Sequence, residues 1–218
     1  MSFKIGIYSL EKNSGKSITA AFLAESLATL NQKVALLDVT QDTFLTDFLQ
    51  IKNSTLNSIK ISESTWDYQK IENINNFDSF ISKSEKYDFI IVDFPSYTDD
   101  NLREILSKLE SVIIPIECEF YGLDKLNETF EEILKFENLK VEGLLLTKVD
   151  NNNSLVEKIK GFLKDNFSDL VFNSSISRNY YLGLPHFSIE NLNHSIPNFG
   201  FADYLKLANE ILDNRNNG

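Results

Sequence analysis

The sequence predicts an α/β fold, a mainly parallel sheet flanked by helices on both faces. Near-continuous apolar runs recur at 3–9, 33–39, 87–94, 111–117 and 141–149, the pattern of strands buried on both sides. Between them, stretches at 17–30, 99–109, 123–136, 155–167 and 201–212 carry apolar residues at helical spacing with polar residues opposite. The two kinds of segment alternate, which implies βαβ units joined by right-handed crossovers.

The first run, FKIGIYS, leads through a polar, glycine-containing loop into a helix marked by Ile18, Phe22, Leu23, Leu27 and Leu30. KVALLDV, YDFIIVDF, SVIIPIE and VEGLLLTKV follow as the later buried strands, and 170–172 is a shorter candidate. The segment 51–86 is rich in Ser, Asn and Lys, and one strand or helix among variable loops is expected there. No repeat or linker interrupts the pattern, so residues 1–218 are expected to form one domain.

Composition narrows the function. The net charge of −11 disfavours broad attraction to nucleic acid. The single Cys118 excludes an intrachain disulfide and fits a reducing compartment. No apolar run approaches the roughly 20 residues of a membrane span, and a cytoplasmic protein without membrane contact is expected.

The strongest local signal is Asn13-Ser14-Gly15-Lys16-Ser17, set between the first strand and the first helix. Free N–H groups and the positive end of the helix dipole make that junction an anion site. Gly15 permits close backbone approach, Lys16 would reach the β- and γ-phosphates, and the Ser17 hydroxyl would ligate Mg²⁺. Leu10 stands where the full phosphate-loop pattern has its first glycine. Asp93 ends the apolar stretch FIIVD, so its carboxylate faces the crevice where such sheets bind ligands, placed to hold Mg²⁺.

On these residues the chain resembles the ParA/MinD family of deviant P-loop ATPases, ParA more than MinD. The family loop K-G-G-x-G-K-[ST] corresponds to Glu11-Lys12-Asn13-Ser14-Gly15-Lys16-Ser17. The family's D-x-D-P-Q falls on the stretch LLDVTQDTFLT and its D-x-P-P on Asp93-Phe94-Pro95-Ser96. LLLTKVD, the segment Ile176-Ser177-Arg178-Asn179 and the closing helix also match ParA stretches. The resemblance implies a P-loop NTPase of the SIMIBI class that binds ATP and Mg²⁺. It also implies a nucleotide-dependent homodimer and a protein partner. Lys12, Asn13 and Ser14 join Gly15, Lys16 and Ser17 in holding phosphate, and Arg178 and Asn179 line the base.

The departures bear on catalysis. Glu11 reverses the charge of the family's extra lysine, which contacts nucleotide across the dimer, and Lys12 is its nearest substitute. Both family glycines are replaced, by Lys12 and Asn13, and of these Asn tolerates positive φ better. Thr40 takes the place of the water-activating Asp, leaving Asp38 or Asp42 to orient water.

Thr147-Lys148-Val149-Asp150 also fits the [NT]-K-x-D pattern that reads guanine in GTPases. ParA relatives commonly carry an acid near this point and use ATP, so adenine is expected, with Asp150 near the base. His186 and His194 have no partners at metal-ligand spacing and read as surface or packing residues. Trp66 is a packing residue or a partner anchor. The last residues, DNRNNG, do not form the basic amphipathic membrane helix of MinD relatives.

The expected function is a ParA-like Mg-ATP switch, a slow ATPase in partitioning or positioning of DNA or a protein cargo. The alternatives are a non-hydrolysing scaffold for a protein partner, and an ATP-dependent ligase of the dethiobiotin or cobyrinate amidation type. Tyr180 and Tyr181 follow Arg178, where ParA relatives carry DNA-binding basic residues, so non-specific DNA binding should be weak or absent. Fluorescence anisotropy with random duplex at about 150 mM salt, with ATP present, should give a Kd above roughly 1 µM. Submicromolar affinity would reveal a basic patch absent from this reading.

Overall fold

The computed structural model describes residues 2–51, 56–61, 64–179 and 200–217. Seven strands form one sheet in the order β3-β4-β2-β5-β1-β6-β7. They are β1 (Phe3–Ile7), β2 (Val34–Asp38), β3 (Asn57–Ile61), β4 (Ser64–Lys70), β5 (Phe89–Asp93), β6 (Ser111–Glu117) and β7 (Lys140–Thr147). Every pairing is parallel except β3 with β4, an antiparallel hairpin at one edge.

Burial explains the apolar runs. Along β2 and β5, alternate residues enter opposite cores: Leu36 and Ile91 face one, and Ala35, Leu37, Ile90 and Val92 face the other. The first core is closed by α1 (Lys16–Thr29) and α7 (Phe201–Asn217). The second is closed by α3 (Ile74–Ile81), α4 (Asp100–Leu106), α5 (Leu126–Ile133) and α6 (Leu155–Phe167). The short α2 (Phe44–Phe48) follows the loop after β2. Helix α1 packs against α7 through the Phe22 and Tyr204 rings, whose centroids lie 5.2 Å apart, and a Thr19–Tyr204 hydroxyl contact of 3.1 Å.

The segment 51–86 departs from expectation, since it supplies two strands and a helix rather than one element. β4 is half-buried, so it alternates, with Trp66 and Tyr68 inward and polar neighbours outward. The candidate strand at 170–172 is reduced to a single parallel bridge between Val171 and Leu144. Trp66 is 1% exposed, which places it in packing. Cys118 is buried, and desolvation raises its thiol pKa. Tyr180, Tyr181, His186 and His194 lie outside the described residues.

The edge hairpin is fastened to α1 by a buried carboxylate. Glu25 of α1 accepts hydrogen bonds from Trp66 Nε1 at 2.8 Å and Ser64 Oγ at 2.6 Å. Burial raises the Glu25 pKa and these donors oppose the shift. Trp66→Phe removes one donor from a carboxylate that stays buried. It should cost about 1–3 kcal/mol of stability, measured by urea unfolding followed by circular dichroism, because Trp66 is the chain's one tryptophan. An unchanged midpoint would contradict this account of the hairpin's attachment.

Candidate functional site

The loop between β1 and α1 turns on two left-handed residues, Asn13 at φ 59° and Gly15 at φ 92°. Asn is among the few side chains that adopt this conformation readily, and Lys12 is spared it. Gly15 caps α1, its carbonyl accepting the Thr19 N–H at 2.8 Å. Ser14 is buried beneath the loop, where its hydroxyl donates to the Glu11 carbonyl at 3.3 Å. From the far side, Thr147 Oγ1 donates to the Ser14 carbonyl at 2.8 Å and braces the loop on the end of β7.

Lys16 is 7% exposed and folds back into the loop. Its Nζ donates to the Glu11 carbonyl at 2.8 Å and to Ser96 Oγ at 2.7 Å. Desolvation pushes its pKa down to about 8, against the opposing charges of Asp93 and Glu11. Ser96 stands at the second proline of the family's D-x-P-P, and its hydroxyl also donates to the Glu11 carbonyl at 3.2 Å.

Beside the loop, the parallel register aligns Lys70, Asp38 and Asp93 at the ends of β4, β2 and β5. Asp38 is fully buried and saturated. Thr40 donates to its Oδ1 through N–H at 2.9 Å and Oγ1 at 2.7 Å, and Tyr68 Oη and Lys70 Nζ each reach its Oδ2 at 2.9 Å. Asp93 is equally buried, yet neither of its oxygens is hydrogen-bonded in the structure. Burial, then the neighbouring Asp38 charge, raises its pKa well above the usual carboxylate range. The adjacent Ser17 hydroxyl and Lys16 oppose that shift, but Ser17 is outside hydrogen-bonding geometry.

This orphaned acid beside a hydroxyl and an anion-binding loop is the donor set of a hard divalent cation that shares its ligands with phosphate. Among the described residues no group of three or more His, Cys, Asp or Glu side chains could hold a metal. A cation here would therefore depend on ligand oxygens from elsewhere.

The model of the CobQ/CobB/MinD/ParA nucleotide-binding domain matches residues 5–182. The chain belongs to this family. The chromosome partitioning protein ParA of Caulobacter vibrioides is 30% identical over 132 residues, 58% of this chain and 49% of that protein. The chain thus spans about half the length of the curated relatives it matches. A putative plasmid partition protein of Borrelia burgdorferi, solved with AMPPNP, has a TM-score of 0.74 at 21% identity, over 98% of this chain and 99% of that one. Cobyrinic acid a,c-diamide synthase of Mycobacterium smegmatis, with ADP and magnesium, has a TM-score of 0.70 at 16% identity, over 99% and 96%. Both share the fold.

In this member of the CobQ/CobB/MinD/ParA family the loop opens on a cleft of about 740 Å³. Its lining includes Lys12, Asn13, Gly15, Lys16 and Ser17 of the loop and helix start, and Thr40, Asp42, Phe44, Ser96, Tyr97 and Lys148. Asp42 is exposed there, its Oδ1 accepting the Phe44 N–H at 3.0 Å. Asp38 is not in the lining; its oxygens are taken up by Thr40, Tyr68 and Lys70.

Asp150, Arg178 and Asn179 also stand outside this lining. Asp150 Oδ1 accepts the Asn152 N–H at 3.0 Å, and Arg178 pairs with Glu119 at 3.2 Å. Lys148 is the residue of that strip that reaches the cleft, held at φ 54° with Nζ 2.9 Å from Glu117. Sequence reasoning missed Ser96, Lys70 and the bracing role of Thr147. The D-x-P-P departure was the available signal for Ser96, whereas Lys70 carried none.

Asp93→Asn should stabilise the ligand-free protein by about 1–3 kcal/mol, since an amide avoids burying an unpaired charge. Urea denaturation near neutral pH measures this. A loss of stability would mean that the carboxylate is satisfied within the protein.

Proposed function

We propose that the chain is a ParA-like switch that binds Mg-ATP and hydrolyses it slowly, in partitioning or positioning of DNA or a protein cargo. The observation that carries this reading is the buried Asp93 carboxylate, left unpaired beside Ser17 and a preformed phosphate loop. Ser17 and Asp93 would hold Mg²⁺, which neutralises phosphate charge when bound. Lys16, released from the Glu11 carbonyl, would turn to the β- and γ-phosphates. The N–H groups from Asn13 to Ser17 would cradle them, with Lys12 and Lys148 adding positive charge at the rim.

The whole of 1–218 is read as one cytoplasmic nucleotide-binding domain, paired with a second copy through the nucleotide and answering to a protein partner. The described helices include none long and apolar enough to cross a membrane. Asp150, Arg178 and Asn179 are assigned to the adenine side, reached beyond Lys148.

A second reading, a scaffold that binds nucleotide without hydrolysing it, is favoured by one observation. The Thr40 hydroxyl, standing where relatives have a water-activating Asp, is tied to Asp38 and is no base. Hydrolysis in the first reading then rests on Asp42 alone.

Calorimetry should show Mg-ATP binding that Lys16→Ala weakens by at least about tenfold, or 1.4 kcal/mol, with turnover below roughly 1 s⁻¹. Equal affinity in a folded Lys16→Ala protein would overturn the phosphate-loop assignment. Faster turnover would contradict the assigned defects at Glu11 and Thr40.

A further inference from the structure

Lys70 reaches the site from the edge of the sheet. It is the last residue of β4, in register with Asp38, and its side chain is 17% exposed. Its ammonium meets three oxygens: Asp38 Oδ2 at 2.9 Å, Thr40 Oγ1 at 3.3 Å and the Asp42 carbonyl at 2.6 Å. The first is buried charge compensation. The other two belong to the loop between β2 and α2, which lines the same cleft as the phosphate loop.

Neutralising Asp38 requires only the first contact, yet the shortest of the three is to the Asp42 backbone. That carbonyl and the Phe44 N–H on Asp42 Oδ1 fix the residue from two sides, with its carboxylate exposed in the cleft. Lys70 itself is absent from the cleft lining, so it acts through the loop.

We propose that Lys70 is a positioning residue. Drawn in by Asp38, it grips the Thr40 hydroxyl and the Asp42 carbonyl, and so sets the Asp42 carboxylate to orient the attacking water. The assignment rests on the Mg-ATP reading and deepens it. In the reaction, the water oxygen bonds to the γ-phosphorus as the β–γ bridging O–P bond breaks. The water proton passes to Asp42, and ADP and orthophosphate leave. The hairpin thus supplies, from a strand outside the phosphate loop, the order that this chain lacks at Thr40.

Lys70→Met alone strands the buried Asp38 charge, so the test compares Asp38→Asn with Asp38→Asn/Lys70→Met. Asn keeps one acceptor oxygen, for the Thr40 donors, and its NH2 can donate to the Tyr68 hydroxyl oxygen; Lys70 keeps its contacts to Thr40 Oγ1 and the Asp42 carbonyl, so the difference between the two proteins reports Lys70. Losing Lys70 should change the Mg-ATP Kd by calorimetry less than about threefold. Single-turnover hydrolysis should fall on the order of tenfold or more. Adding Asp42→Asn to the double variant should then cost little further, since the two residues act as a unit. Amides of 39–43 should exchange hydrogen faster in the nucleotide-free double variant.

Equal turnover in the two proteins, unchanged exchange, or a full independent loss from Asp42→Asn would overturn the proposal. So would a parent chain that binds Mg-ATP and never hydrolyses it. Failure of the parent chain to bind Mg-ATP would bring down the nucleotide reading first, and the Lys70 assignment with it.

Discussion

Two carboxylates, Asp38 and Asp93, lie in register at the ends of neighbouring strands, both fully buried. Like charges so placed cannot both ionise without compensation. The protein compensates one of them. Lys70 and three further donor groups satisfy Asp38, while Asp93 keeps two unpaired oxygens. The rest of the site is arranged around that imbalance. An ammonium, Lys16, is desolvated nearby, a hydroxyl, Ser17, stands alongside, and the loop between β1 and α1 lines the adjoining cleft. An unpaired buried carboxylate costs stability that a bound cation with its own oxygen ligands would restore.

The fold enforces this through simple periodicities. Parallel strands buried on both faces end together, so the acids that terminate them share one edge of the sheet. Helix α1 starts at the same edge, and its capping loop uses an Asn and a Gly for its two left-handed turns. Of the two residues that replace family glycines, Asn13 falls where positive φ is needed and Lys12 where it is not.

How much was legible in the sequence follows from the same physics. The central strands and the flanking helices announce themselves, because double-sided burial writes continuous apolar runs. The edge hairpin does not, since half-buried β4 dilutes its apolar residues with Ser, Asp, Gln and Lys. The phosphate loop and Asp93 could be named from local pattern. The choice between Asp38 and Asp42 could not. Cross-strand register separates the two, placing Asp38 between Lys70 and Asp93, with Asp42 in the loop beyond. Register also hides Lys70, which is 32 residues from its carboxylate partner, and Ser96, which is 80 residues from the ammonium it meets.

The central claim is that Asp93 is completed by a cation that enters with nucleotide. It is tested most directly by titrating ATP calorimetrically with Mg²⁺ or with EDTA, in the parent chain and in Asp93→Asn. The account predicts that Mg²⁺ tightens ATP binding by at least about tenfold, or 1.4 kcal/mol, in the parent chain, and that Asp93→Asn loses most of this dependence while still binding ATP. Equal ATP affinity with and without Mg²⁺ in the parent chain, or a full Mg²⁺ effect in Asp93→Asn, would contradict it.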